Sequence, residues 1–286
     1  MSARSLSRII ASAGIVAVVA TLAACAPADS TPSASESAAP ATPTYVTDGK
    51  LTIATGDQAF FPYVLDNKPE SGEGFESAVA YAVADQLGFA KEDVVWVSTG
   101  FEEAIQPGPK NFDFNIQQYS ITPEREATVD FSPPYYSTPQ AVVTIEGTPA
   151  DGVTTIAGLK DVVVGAQTGT TSFTTAESVI QPSGGVQAFN SNDDAKLALQ
   201  NGTIDALVVD LPTAFYLTGV DLKGGVLVGQ LPASDGISDD WGLLLDKDSS
   251  LTATVSNAVN ALREDGTLDE LAEQWLGSDA GATVLG

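Results

Sequence analysis

The chain has 286 residues, 43% hydrophobic and 17% charged, with 12 basic against 37 acidic side chains and a formal charge of −25. That length suits about two domains on a prior of ~150 residues each, and the composition is that of a folding chain. There is no histidine and one cysteine, which excludes Ser-His-Asp and Cys-His catalytic sets, histidine metal sites, disulfide frameworks and Cys-x-x-Cys chemistry. The acidic excess opposes nucleic acid or anionic lipid as a partner for a broad basic surface. What remains is binding, or a chemistry of carboxylate, serine or lysine.

Residues 1–25 read as a targeting segment, with Arg4 and Arg8 ahead of a small apolar run from Ile9 to Ala20 that is too short to span a bilayer comfortably. The segment ends Leu22-Ala23-Ala24-Cys25 and resembles the lipobox of bacterial lipoproteins. In that family the cysteine is the lipidated first residue of the mature chain, so Cys25 is expected to carry the anchor, each buried methylene contributing about 0.8 kcal/mol. The alternative is an ordinary signal peptide in which Cys25 is incidental. Residues 26–45 are rich in Ala, Ser, Thr and Pro and read as a flexible tether.

Beyond the tether, strands and helices alternate, which predicts an α/β architecture. Leu51–Thr55 reads as a strand and Ser77–Leu87 as a helix stopped by Gly88. Val94–Val97, Phe112–Gln117 and Gln140–Ile145 follow as strands. The second half repeats the scheme, with a strand over Val162–Gln167 running through Thr168-Gly169-Thr170-Thr171 into a helix. A helix over Asn192–Gln200, a strand over Ala206–Val209 and a helix opened by Asp210-Leu211-Pro212 come next. Trp241–Leu245 is expected as one strand. Two amphipathic helices close the chain, the second opened by Thr267 and Glu270 spaced as a capping box.

Three features point to a charged small ligand. Arg125 follows a strand within Ser120-Ile121-Thr122-Pro123-Glu124-Arg125, where Thr122 is placed to cap a short helix with Pro123 at its first position. It is either held at a ligand or paired on the surface with Glu124 or Glu126. The Thr168–Thr171 turn is either a site for an anion or an ordinary capped turn. Asp210 ends an apolar strand, where it meets a cation or caps the next helix. Together an arginine, hydroxyls and an aspartate match the charge pattern of an α-amino acid zwitterion.

At this point the chain resembles the amino-acid-binding family 3 substrate-binding proteins of ABC importers. The likeness rests on Leu51–Thr55 followed by Phe60-Phe61-Pro62-Tyr63, on Gly74-Phe75-Glu76, and on the Ser120–Arg125 run. Val129–Tyr136, Val164–Thr171, Asp205–Asp210 and Asp265-Gly266-Thr267 continue it in the family's order over residues 46–277. The resemblance implies a two-lobed, type II periplasmic-binding-protein-like α/β fold with two crossing hinge strands, near Tyr135–Pro139 and Asp240–Gly242. It places lobe 1 at residues 46–135 and 243–277, lobe 2 at 140–240, and a tail at 278–286.

By the same resemblance Arg125 forks onto the ligand carboxylate, Thr170 and Thr171 donate to it from lobe 2, and Ser120 and Asp210 meet the ammonium. Phe60 and Phe101 sandwich the side chain, and Asp57, Gln117 and Gln118 face its polar end. Two departures stand out: Glu76 replaces the usual aspartate, and Pro107-Gly108-Pro109 interrupts the helix after Phe101. With no second basic residue at the motif positions, a polar neutral or cationic amino acid is expected, and no cofactor or metal. The expected partners are the free amino acid, an ABC permease and its ATPase subunits, with the membrane reached only through the lipid and the protein monomeric at the extracellular face of a bacterial cytoplasmic membrane. The alternatives are an enzyme on the same scaffold, similar to cyclohexadienyl dehydratases and using Glu102 or Glu103 as acid, or a sensor ectodomain.

Overall fold

The computed structural model describes residues 42–233, 239–277 and 282–286. The proposed anchor Cys25 and most of the expected tether lie outside them. At the start of the body, Tyr45 packs edge-on to Phe89 with ring centroids 4.9 Å apart, and the Val46 amide donates to Asp113 Oδ1 at 2.8 Å.

The first part of the chain lays down β1 (Leu51–Gly56), α1 (Phe75–Gln86), β2 (Val94–Thr99), α2 (Phe101–Ile105), β3 (Phe114–Asn115), α3 (Pro123–Glu126) and β4 (Val129–Phe131). Then come β5 (Tyr136–Ser137), β6 (Gln140–Ile145), β7 (Val164–Gln167), α4 (Thr171–Thr175), β8 (Val186–Phe189), α5 (Asn192–Gln200), β9 (Ala206–Asp210), α6 (Leu211–Tyr216) and β10 (Gly225–Gln230). The chain finishes with β11 (Asp240–Trp241), β12 (Leu244–Asp246), α7 (Thr252–Glu264) and α8 (Thr267–Leu276).

These strands form two five-stranded mixed sheets, ordered β2-β1-β3-β12-β4 and β10-β6-β9-β7-β8, and a two-stranded ribbon of β11 and β5 between them. The first sheet is parallel from β2 through β3 and takes β12 antiparallel. In the second, β7 runs parallel to β8 and β9 while β6 runs antiparallel to β9 and β10. The ribbon pairs Asp240 with Ser137 and Trp241 with Tyr136, where the chain passes between the two sheets.

Apolar side chains cover both faces of each sheet, the arrangement that parallel strands require. On lobe 1, Ile53 and Phe114 pack with Phe75, Val79 and Val83 of α1 and with Val255 and Val259 of α7, while Ala54, Phe112, Tyr119 and Leu244 line the other face. Lobe 2 has matching layers around Val143, Leu207 and Leu199 on one face and Val142, Val164 and Val208 on the other.

Local chemistry explains most boundaries and corrects three expectations. Gly88 ends α1 with φ +83°, the left-handed conformation that glycine adopts without penalty. The interval expected as one strand over Trp241–Leu245 is split in two, because β11 pairs in the ribbon and β12 in the first sheet. Gly242 makes the switch: a Cβ there would lie 2.9 Å from the Ile121 side chain and 3.0 Å from the Ser132 carbonyl. Thr267 and Glu270 form no capping box, since Gly266 occupies the cap position at φ +86°. The Thr267 amide is instead taken by Asp265 Oδ1 at 2.9 Å, and the Thr267 side chain, then this amide, hold that carboxyl below its usual range.

The third correction concerns the segment expected as a tail. Residues 282–286 pack along the edge of the second sheet: Val284 bridges to Gln230, the Gln230 amide donates to the Thr283 carbonyl and the Leu285 amide to the Gln230 carbonyl, each at 2.8 Å, and Leu285 is 2% exposed within the lobe 2 core. An apolar side chain that can reach an uncovered sheet edge stabilises itself there by burial. Leu285→Ala is expected to lower stability by about 2–5 kcal/mol in urea denaturation, and a loss well under 1 kcal/mol would contradict this packing.

Candidate functional site

The carboxyl ends of β1, β3, β7 and β9 converge on the gap between the two sheets, where open α/β folds collect ligands. The gap holds a cavity of about 560 Å³, within the size range of small-molecule sites. All ten residues expected at a ligand line it: Asp57 and Phe60 after β1, Phe101 at the start of α2, and Gln117, Gln118 and Ser120 after β3. Arg125 comes from α3, Thr170 and Thr171 from the β7–α4 turn, and Asp210 from the end of β9.

Arg125 is held as its local sequence predicts. Thr122 Oγ1 accepts from the Arg125 amide, with Pro123 opening the short helix. The side chain is buried at 7% exposure, so the surface reading with Glu124 or Glu126 does not hold. Its Nη1 donates to the Ser120 carbonyl at 2.6 Å and its Nη2 to the Gly169 carbonyl of lobe 2 at 2.9 Å. A guanidinium has five N–H groups, so three remain for a ligand. The cation also lies 5.4 Å from the centre of the Phe101 ring, and that ring stacks on Tyr119 at 4.5 Å. Phe101 is therefore held by two contacts although α2 is only five residues long, cut short ahead of Pro107-Gly108-Pro109. Burial pulls the guanidinium down from its ordinary value, opposed first by Tyr119 and then by Asp210.

Opposite Arg125, the hydroxyls of the turn are already engaged. Thr170 Oγ1 donates to the Gln167 carbonyl and accepts from the Phe173 amide, capping α4. Thr171 shares a 3.0 Å hydrogen bond with Ser120 across the gap. Asp210 makes no side-chain cap to α6; its Oδ1 accepts from Gln140 Nε2 at 2.7 Å instead. Burial, then the neighbouring Asp239, push the Asp210 carboxyl up to about 7. A carboxyl so placed gains most when a cation arrives beside it.

The departure at Glu76 has a structural role. Fully buried at the start of α1, its carboxylate accepts from the backbone amide of Gln118 at 2.8 Å, from the Gln118 side chain and from the Tyr135 hydroxyl. Burial raises it to about 7 against those hydrogen bonds. Gln118 has φ +48°, a strained conformation for a residue with a side chain, and Glu76 is what holds it beside the cavity. Gln117 is held differently: its Oε1 accepts from the Tyr119 hydroxyl at 3.0 Å.

Sequence reasoning passed over several lining residues. Lys196 of α5 is clamped by Asp193 and Asp221, each at 2.8 Å; the three-residue spacing of Asp193 and Lys196 on a helix is a signal that local reading offers. Glu102 and Glu103, considered only as catalytic acids, line the lobe 1 side. The lobes also touch away from the expected ligand residues, where Tyr63 shares a 2.8 Å hydrogen bond with Thr213 and Phe61 packs against Tyr216 at 5.5 Å. With the Arg125–Gly169 and Ser120–Thr171 contacts, these describe two lobes brought together over the cavity. Among the described residues no cluster of carboxylates or thiols is placed to hold a metal ion, and no helix is long and apolar enough to cross a membrane.

Two α/β lobes joined by a crossing ribbon, with a cavity lined by charged and aromatic side chains between them, define a two-lobed binding protein. Residues 51–278 match the profile of the bacterial extracellular solute-binding proteins, family 3, and the chain belongs to that family. It is 29% identical over 245 residues to the L-arginine-binding protein of Pseudomonas aeruginosa, covering 83% of this chain and 92% of that one. Its identity to the ABC transporter arginine-binding protein 1 of Escherichia coli is 26% over 208 residues, covering 71% and 81%. Among solved structures it is similar to an ancestral arginine-binding protein bound to arginine, with a TM-score of 0.65, 30% identity and coverage of 79% and 98%.

Proposed function

We propose that this chain is an extracellular, lipid-anchored receptor that closes around one α-amino acid and delivers it to the permease of an ABC importer. The observation that carries the reading is the placement of unlike charges on the two sides of one cavity, Arg125 from lobe 1 and Asp210 from lobe 2. A zwitterion removed from water needs an opposite charge or several hydrogen bonds at each end. The three spare N–H groups of Arg125 receive the α-carboxylate and Asp210 receives the α-ammonium. Phe60 and Phe101 flank the side chain, while Asp57, Gln117 and Gln118 meet its polar end.

The balance of charge favours a cationic side chain. Asp57, Glu102, Glu103, Asp193, Asp210 and Asp221 line the cavity against Arg125 and Lys196, and Lys196 is already matched by two aspartates. Among the described residues lining the cavity, no further cation is left to meet a second ligand carboxylate. The names of the relatives, arginine-binding proteins among them, support the same side-chain class, and their being binding proteins supports capture and release in preference to conversion. The importer as partner is supported by the family, and the anchor by the Leu22–Cys25 motif.

Calorimetric titration of the soluble body with arginine, lysine, ornithine, citrulline, glutamine, histidine and glutamate tests the reading. A basic amino acid is expected to bind tightest and glutamate at least a hundredfold more weakly. Glutamate as the tightest ligand would overturn the side-chain assignment.

A further inference from the structure

Asp239 lies outside the cavity lining, at the mouth of the second hinge crossing, yet it reaches the proposed ammonium site through a single side chain. Gln140 opens β6 directly after the first crossing and is 1% exposed. Its Nε2 donates to Asp210 Oδ1 at 2.7 Å and to Asp239 Oδ1 at 3.0 Å. Its Oε1 accepts from Ser172 Oγ at 2.6 Å. That third bond fixes the orientation of the amide, so both N–H groups face carboxylates. The backbone repeats the link, since the Thr138 amide donates to the Asp239 carbonyl at 3.1 Å and Gln140 pairs with Asp210 in the β6–β9 register.

We propose that Asp239 is a positioning residue for ligand capture: by sharing the Gln140 carboxamide with Asp210, it couples the hinge to the carboxylate that receives the ligand's ammonium. The inference rests on the zwitterion reading of the site. One amide between two carboxylates satisfies one oxygen of each and leaves their mutual repulsion in place. Besides Asp239, the groups whose charges act on Asp210 are Arg125, which favours its ionisation, and Glu76, which opposes it. Tyr63 also lies within reach of its field. Asp239 itself is raised to about 6, first by burial and further by Asp240.

The sign of the pH effect follows. A ligand ammonium needs Asp210 ionised, and Asp210 holds its proton up to about 7. Binding below that pH must therefore expel a proton, and affinity is expected to fall toward tenfold per pH unit as pH drops from about 7. Neutralising Asp239 removes a negative neighbour and lets Asp210 ionise at lower pH. Asn at position 239 keeps an oxygen for the Gln140 amide, so the hydrogen-bonded frame survives.

The test titrates the protein and its Asp239→Asn variant with L-arginine and L-glutamine from pH 5 to 8, with melting curves to verify folding. The expected result is a midpoint of the affinity profile displaced to lower pH in Asp239→Asn, with the gain over wild type greatest between pH 6 and 7, where Asp239 is ionised, and fading toward pH 5, where both proteins are neutral at that position. A hinge residue of merely structural importance would weaken binding at every pH without moving the midpoint. Coincident profiles, or uniform weakening, would overturn the inference while leaving the zwitterion reading intact. A wild-type protein that binds neither amino acid at any pH would remove that reading and the inference with it.

Discussion

Arg125→Ala is expected to leave a folded protein whose affinity for its amino acid is reduced by two to three and a half orders of magnitude or more. Removing one partner of a buried charge pair costs about 3–5 kcal/mol, and each 1.4 kcal/mol is a factor of ten. The loss has two physical sources. The ligand carboxylate would be enclosed without a cation, and the Gly169 carbonyl of lobe 2 would lose the donor that reaches it from lobe 1. Arg125→Lys separates charge from shape: a lysine restores the charge but not the planar fork that serves two backbone carbonyls and a carboxylate together. Calorimetry on all three proteins, with thermal melts to verify folding, decides the matter. Wild-type affinity in the alanine variant would end the zwitterion assignment.

Asp210→Asn acts at the other end of the ligand. It keeps the size of the side chain and an oxygen for Gln140, while removing the negative charge opposite the ammonium. Binding is expected to weaken by about a hundredfold or more, in line with a buried pair losing one charge, and the affinity that remains should vary little between pH 5 and 8. Stability should move the other way. The Asp210 carboxyl is raised in the folded protein, so its ionisation disfavours the fold, and stability declines as pH rises from about 4 to about 7. Asparagine relieves that penalty, and the ligand-free variant is expected to melt at or above the wild-type temperature at pH 8. A variant that binds as wild type does, or one whose affinity still follows pH, would show that Asp210 does not receive the ammonium.

The same opposition between stability and binding runs through the whole site. Glu76, Asp210 and Asp239 are all raised well above the ordinary carboxyl range, and each is held by amides or hydroxyls without a cation in direct contact. Gln118 is strained at φ +48° beside them. Strain and raised carboxyls gathered around a cavity are what an uncompensated ligand site carries.

How much of this was legible in the sequence depends on how far apart the interacting residues lie. The capping of Arg125 by Thr122, three residues away, is local, and so is Pro123 at the first turn of its helix. The strand-turn-helix unit at Thr168–Thr171 and the alternation that makes the fold α/β are also written in short windows. The ordered series of motifs carried the two-lobed architecture, because each short motif marks the end of a strand that faces the same gap.

Tertiary structure alone decided the rest. Gln140 meets Asp210 and Asp239 across 70 and 99 residues, Tyr63 meets Thr213 across 150, and Glu76 reaches Gln118 and Tyr135 across 42 and 59. No periodicity or cap couples residues so distant. Their meeting follows from the chain leaving one sheet, building the second and returning. The same return splits Trp241–Leu245 between ribbon and sheet, and residues 282–286 pack against lobe 2 because an uncovered edge there accepts a buried leucine. Sequence determined which charged residues follow or end strands, an arginine and an aspartate in a chain poor in bases; folding determined that both line one cavity, because only packing sets the distance between groups that local sequence leaves independent.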